Sequence, residues 1–310
     1  MVRQLRLGWL GFWATFGLSV GVSLTGYSSE VAITIDDIST GATPKFEPRE
    51  RDVAIRRALS TQKIKAALFV CGVRVDDPTG VEMLGNWSRE GHLIGNHSYS
   101  HFSYHKKSMD FAKYSQDMVQ VEQQIVNLPG FQKFFRFPFL KEGDTAEKRD
   151  QMRAFLKGRG YRNGYVTIDA SDWAIDDRLI KKLRKDRTAN VAPYRDFYLK
   201  HIWSRAQYYD DLAFEVLGRR VRHTLLIHHS LLNTLFLGDL LEMFKSKGWQ
   251  LIDAVKAYED PIASLKPKIL PAGESLVWAL AKETGKFDKK LRYPGEDGEY
   301  ETAEMDKLGL

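Results

Sequence analysis

Asp36-Asp37 closes the apolar run Val31-Ala-Ile-Thr-Ile35, and four later apolar runs also end on side chains that can ligate a metal, move a proton or carry charge. The second such site is Gly95-Asn96-His97-Ser98-Tyr99-Ser100-His101, just past His92-Leu-Ile94. Two histidines at i and i+4 share one face of a helical turn, so both imidazoles can reach one ion. With a carboxylate from another strand end they form a donor set compatible with zinc and a water molecule. The third is Phe134-Phe-Arg136-Phe-Pro138-Phe139, the fourth Asp169-Ala-Ser-Asp172-Trp173 after Tyr165 to Ile168, and the fifth Leu225-Leu-Ile227-His228-His229.

Each stretch also has an ordinary structural reading. Acid pairs cap helices and fill turns, and a histidine after an apolar triplet can be a hydrogen-bonded core residue. Arg136 either packs as a cation against aromatics at the edge of the core or holds a buried carboxylate ionised and oriented. What favours a shared site is that all five strand ends carry mutually compatible chemistry.

For these residues to meet, the runs that carry them must be neighbouring strands. Residues 31–35, 66–70, 92–95, 134–137, 165–168 and 224–227 have the short apolar, β-branched character of buried strands. Helical spacing occupies 50–60, 81–90, 110–128, 146–157 and 235–247, with Gly91 and Pro129-Gly130 as stops. The alternation implies a parallel sheet, either a β/α barrel or a doubly wound sheet, and periodicity does not choose between them. In both, the carboxyl ends of the strands gather on one rim, where reactive residues lie.

With 310 residues, 43% of them hydrophobic, the chain can bury a sizeable core. A single cysteine, Cys71, excludes an intramolecular disulfide framework and a cysteine-based zinc site. It reads as a small core residue, so any metal must use histidine and carboxylate. The net charge of +6 is scattered, with local clusters at Lys181 to Arg187 and Arg219 to Arg222. No stacking aromatic motif accompanies them, and nucleic acid is not an expected partner.

Residues 1–28 are expected to be an export signal. Arg3 and Arg6 precede an uncharged stretch from Leu7 to Leu24, and small residues follow at Gly26, Ser28 and Ser29. The alternative is an uncleaved anchor, since the stretch matches the roughly 20 residues that span a bilayer. The protein is thus expected in the periplasm or secreted, with membrane contact only if this segment is retained. Residues 29–260 are expected to form one catalytic domain. Residues 261–310 would be an extension packing on it, disordered beyond about Gly295.

The chain resembles the polysaccharide deacetylases of carbohydrate esterase family 4, the NodB-homology domain, from about Val31 to Tyr258. The resemblance is carried by Ile33-Thr-Ile-Asp36-Asp37, Ala67-Leu-Phe-Val-Cys-Gly72, Glu90-Gly-His-Leu-Ile-Gly-Asn-His97-Ser-Tyr-Ser-His101, Arg136-Phe-Pro138, Asp172-Trp173 and Leu225-Leu-Ile-His228, in the family's order. Glu90 to His101 is the most specific stretch. The resemblance implies an α/β fold, a distorted (β/α) barrel of about seven strands with an open groove.

It also implies roles. Asp37, His97 and His101 would ligate one divalent metal ion, most often zinc, and Asp36 would be the general base, aimed by Arg136. Asp172 would hold His228 as the general acid, Trp173 would line the groove, and the backbone N–H of Phe139 would face the oxyanion. The implied reaction is hydrolysis of N-acetyl groups on a carbohydrate, with an N-acetylglucosamine-containing glycan as partner. Phe139 stands where the family usually has Tyr, and His229 where an acid is frequent. The stretch 176–222 is longer than in compact members. Its Tyr194, Phe197, Tyr198, Trp203, Tyr208 and Tyr209 either cover one side of the groove or serve ordinary helix packing. Competing functions are an acetyl-xylan esterase or cyclic-amide hydrolase on the same site, and a catalytically silent carbohydrate-binding barrel.

Overall fold

The computed structural model describes residues 28–293 and 295–310. The expected export segment, apart from its last residue, lies outside them. In chain order the elements are β1 Glu30–Asp36, α1 Pro48–Thr61, β2 Ala67–Val70, α2 Pro78–Arg89, β3 Leu93–Asn96, α3 Phe111–Ile125, β4 Phe131–Phe135, β5 Lys141–Gly143, α4 Ala146–Gly158 and β6 Arg162–Asn163. They continue with α5 Asp172–Lys185, α6 Ala192–Leu217, β7 Arg222–His228, α7 Leu231–Ser246, β8 Gln250–Leu251, α8 Ala254–Ala257, β9 Ala272–Gly273, α9 Leu276–Thr284 and α10 Glu299–Lys307. Several helices start earlier than their apolar spacing suggests because a side chain caps the turn before it. Asp77 accepts from Gly80 N ahead of α2, and Ser230 from Asn233 N ahead of α7.

The main sheet runs β6-β4-β3-β2-β1-β7, with β8 beside the start of β1, and every pairing is parallel. Val31, Ala32, Ile33 and Ile35 of β1 are all fully buried. This is what a parallel sheet covered on both faces requires, and it explains the apolar runs. Ile33→Ala is expected to cost about 2–5 kcal/mol, seen as a lower urea midpoint at unchanged slope; a change within about 0.5 kcal/mol would mean that the site collapses without loss of packing.

The expected strand at 165–168 is not one. From β6 on one edge the chain crosses to β7 on the other, where Ile168 makes an isolated bridge to Leu225. Thr167 and Thr224 bond through both backbone and hydroxyl groups, and Gly164 N remains on Phe135 O. The segment is therefore held at both ends by opposite edges and cannot run along either. The sheet curls into a half-barrel, and this crossing spans its open side. β4 likewise begins earlier than expected, directly after Gly130, and ends at Phe135.

The C-terminal residues are tied to that crossing. β9 pairs antiparallel with β5, Ser275 Oγ donates to Thr167 O, and Leu276 N to Val166 O. Gly273 must be glycine, because a Cβ there would collide with the Leu140 carbonyl. The disorder expected beyond Gly295 gives way to α10, where Met305 is buried and Arg178 of α5 reaches Asp306 at 2.7 Å. The Arg219 to Arg222 cluster is largely consumed by ion pairs, Arg219 with Asp260, Arg220 with Asp210 and Arg222 with Glu30. Among the described residues no helix is long and apolar enough to cross a membrane.

Candidate active site

Register brings the strand ends together. Asp36 stands opposite His228 of β7 and Phe69 of β2, and β3 delivers His97 one residue past its end, with His97 N on Val70 O at 2.9 Å. After each carboxyl end the backbone turns sharply. Asp37, Ser98 and His101 all adopt positive φ, at 61°, 64° and 56°. The two histidines therefore meet through a loop and not through the helical turn that their spacing suggested. That loop is braced from below. Asn96 Oδ1 accepts Ser98 N, Asn96 Nδ2 holds Met118 O, and the Asp117 carboxylate accepts Tyr99 N and Ser100 N. These bonds compensate the strain of left-handed, non-glycine residues.

One ligand atom each from Asp37, His97 and His101 lies within 4.8 Å of the others. His97 Nδ1 donates to the Arg136 carbonyl at 2.8 Å, which fixes the ring and leaves Nε2 as its ligand atom. Burial, against the pull of Asp37, lowers the His101 pKa to about 3, so its imidazole is neutral. Burial alone would raise the Asp37 pKa, but His101, His97 and Arg74 together hold it below the usual carboxylate range. Arg74 Nε sits 3.2 Å from Asp37 Oδ1 without the alignment of a hydrogen bond, and Oδ1 remains buried and unpartnered. Two imidazoles and a carboxylate with an orphaned oxygen, one donor atom from each close together, fit a divalent cation.

Asp36 is buried, and Arg136 Nη1 donates to its Oδ1 at 2.7 Å. Arg136 is itself fully buried and fully engaged, with Gly164 O, Thr34 Oγ1 and the Tyr258 hydroxyl at 2.7, 2.9 and 2.9 Å. Its guanidinium also lies 4.0 Å from the centre of the Phe69 ring. Arg136 thus packs against an aromatic ring and bonds Asp36 at the same time. Tyr258 was not foreseen as a partner, since nothing local marks a tyrosine 122 residues downstream.

The adjacent histidines separate cleanly. His228 lines the cavity, with Nδ1 on Asp172 Oδ1 at 2.7 Å, while Asp172 Oδ2 takes His228 N and Asn233 Nδ2. Burial disfavours the His228 charge, yet Asp172 first, then Asp37 and Asp36, raise its pKa to about 9. His229 turns the other way, buried 3.5 Å from Asp52 and away from the cavity. Alternation along β7 requires this.

The cavity of about 450 Å³ is lined by Asp36, Asp37, His97, His101 and His228, together with Phe139 and Trp173. Phe139 is 57% exposed at φ 58°, its ring centred 4.6 Å from that of His101. Arg136 and Asp172 stand behind Asp36 and His228. Residues of the 176–222 stretch do not line this cavity. Tyr194, Phe197, Tyr198 and Tyr209 are buried in the core, so α6 uses its aromatics for packing and not as a cover. His105 lies off the site, with Nε2 on Ala272 O at 2.8 Å. Cys71 is buried, and burial raises its thiol pKa to about 12, which suits a core residue.

Sequence reasoning assigned no role to Asp169, Glu274, Glu296 or Asp297, which also line the cavity. Asp169 stood in a stretch already singled out. The other three come from C-terminal turns with no apolar run to announce them.

Residues 25–155 match the polysaccharide deacetylase family. The peptidoglycan-N-acetylglucosamine deacetylase of Bacillus cereus is 34% identical over 150 residues, 47% of this chain and 46% of that protein. The peptidoglycan-N-acetylmuramic acid deacetylase PdaA of Bacillus subtilis is 26% identical over 162 residues, 52% of this chain and 56% of that protein. The chain spans about half the length of these curated relatives. A solved CE4 family pseudoenzyme from Bacillus anthracis aligns with a TM-score of 0.51 at 14% identity, over 75% of this chain and 66% of that one. The half-barrel is thus the CE4 fold. The stretch that matches the polysaccharide deacetylase family includes Asp36, Asp37, His97, His101 and Arg136.

Proposed function

We propose that this protein is an exported, metal-dependent hydrolase that removes N-acetyl groups from an N-acetylglucosamine-containing glycan of the peptidoglycan type. One observation carries the reading. A held carboxylate (Asp36 with Arg136), a metal-type donor set and a histidine with its own carboxylate (His228 with Asp172) converge on one cavity. A relative of this fold is described as a pseudoenzyme, so the side chains and not the barrel support activity. A binding barrel has no need of a proton acceptor locked by a buried arginine.

A divalent ion held by Asp37, His97 and His101, zinc being the best match to this donor set, would supply Lewis acidity, polarising the acetyl carbonyl and lowering the pKa of water. Asp36 takes the proton of the attacking water on the oxygen not committed to Arg136. The Arg136 guanidinium keeps that carboxylate aimed. His228, charged at neutral pH because of Asp172, gives its Nε2 proton to the departing amine. The Phe139 N–H is the donor proposed for the oxyanion, and Trp173 offers an apolar face to the sugar ring.

Acetate release from N-acetylglucosamine oligomers, peptidoglycan and acetylated xylan, measured side by side with zinc added, tests the reading. Release from the amide substrates supports it. Release from xylan alone makes the protein an esterase, and saturable glycan binding without release makes it a silent barrel. His97→Ala and His101→Ala are each expected to weaken zinc binding by more than about 100-fold, since even outer partners of a ligand are worth about 10–100-fold. Stoichiometric zinc in both variants would overturn the ligand assignment.

A further inference from the structure

A second cavity of about 240 Å³ adjoins the one that holds Asp36 and His228, and the ion pair of Lys141 with Glu274 lines both. Its other walls include His105, Leu270, Trp278 and Tyr293. The last three belong to residues 261–310, beyond the stretch that resembles the deacetylase family. We propose that this second cavity is a distal subsite for an uncharged sugar unit of the same glycan chain, with Tyr293 as its stacking platform, so that the C-terminal extension makes the protein select longer oligomers over a disaccharide. The inference rests on the deacetylase reading for its ligand class and on the cavity itself for the subsite.

Tyr293 carries the most weight. Its ring is 63% exposed, which core packing does not explain, yet its backbone is fastened. The Trp278 indole N–H donates to Arg292 O at 2.7 Å, and the Tyr300 hydroxyl donates to Tyr293 O at 2.5 Å. Trp278 is itself buried, with its ring centred 6.1 Å from that of Tyr293. The Tyr208 hydroxyl of α6 holds Lys290 O nearby in the same segment. An exposed tyrosine on a fixed backbone offers a broad amphipathic face and loses little freedom when a ligand covers it. The extension also seats Trp173 in the first cavity, since Gly298 packs so close to that ring that a Cβ would meet it at 2.8 Å.

The charges around the second cavity are already matched. Lys141 pairs with Glu274, Lys282 pairs with Asp288 at 2.9 Å, and His105 Nε2 bonds Ala272 O. Neither an ammonium nor a phosphate finds an unmet partner there, so the occupant is neutral. A sugar unit fits, because its C–H face covers an aromatic ring while its hydroxyls meet the remaining donors of Lys141 and acceptors of Glu274. The shared Lys141–Glu274 wall makes that unit part of the chain bound at Asp36 and His228. Joined to the first, it docks without a second loss of translational freedom. Binding energy gained at such a remote unit also serves the reacting amide, so short substrates lose rate as well as affinity.

The N-acetylglucosamine dimer and pentamer, and a peptide-bearing peptidoglycan fragment, test this on the zinc-loaded full chain. Acetate release is measured directly, and binding by calorimetry in the Asp36→Asn protein, where turnover is expected to be slow. Tyr293→Ala is expected to lower the pentamer-to-dimer ratio of kcat/KM, and the same ratio of affinities, by about 3–10-fold, the worth of one aromatic contact. Tyr293→Phe keeps the ring and should restore most of the ratio, and Leu270→Ala should shift it in the same direction by less. Equal losses for both oligomers, no loss for either, or a loss that Tyr293→Phe shares in full would overturn the subsite. A loss confined to the peptide-bearing fragment would give the cavity to peptide and overturn it too. A Tyr293-dependent preference for the pentamer in a protein that releases no acetate would support the subsite and overturn the deacetylase reading. Acetate release without that preference would do the reverse.

Discussion

Asp36→Asn is expected to lower turnover of an N-acetylglucosamine oligomer by about 10²–10⁴-fold, the usual contribution of a general base, with zinc stoichiometry unchanged. The substitution keeps shape and removes only the capacity to take a proton. One Asp36 oxygen is committed to Arg136 at 2.7 Å, so a single oxygen remains for water. Arg136 should stay in place, because Gly164 O, Thr34 Oγ1 and the Tyr258 hydroxyl hold it independently of Asp36. An asparagine therefore enters a preserved frame, and a loss of rate reports chemistry and not collapse. Acetate release and metal analysis on the same preparation check this. A kcat within about threefold of wild type would assign the proton to another group, since it falls far short of a general base's contribution.

For His228→Ala, amide hydrolysis is expected to fall by about 10²–10⁴-fold, while an activated acetyl ester falls much less. An amine cannot leave as its anion, whereas a phenolate leaves without a proton. The Asp172 pair raises the His228 pKa to about 9, so the imidazole is charged below that pH and loses its proton above it. Amide turnover in the wild type should accordingly decline as pH rises through about 9, and ester turnover should not share that limb. His229→Ala should act on stability alone, as its ring lies against Asp52 outside the cavity. A selective amide defect in that variant would transfer the acid role to His229 and leave the metal centre untouched.

The motif at the end of β1 was legible because a parallel strand buried on both faces must be apolar throughout and turn polar where it meets the rim. The same logic located His97 and His228. It failed at 165–168, where the apolar character that marks a strand belongs to a segment crossing between two sheet edges. It failed again on α6, whose aromatics look identical in sequence whether they cover a groove or fill a core.

By itself, then, the sequence determined the order of elements, the burial of the strands and the chemical inventory of the rim, all properties that short-range periodicity encodes. Tertiary structure alone decided three matters. These are the loop by which His97 and His101 converge, the lock of Tyr258 on Arg136, and the bringing of Glu274, Glu296 and Asp297 to the cavity. Each depends on contacts between residues far apart in the chain or on a positive-φ turn, and neither leaves a periodic trace, because side-chain spacing repeats only within an element while distance across the barrel is set by how whole elements pack.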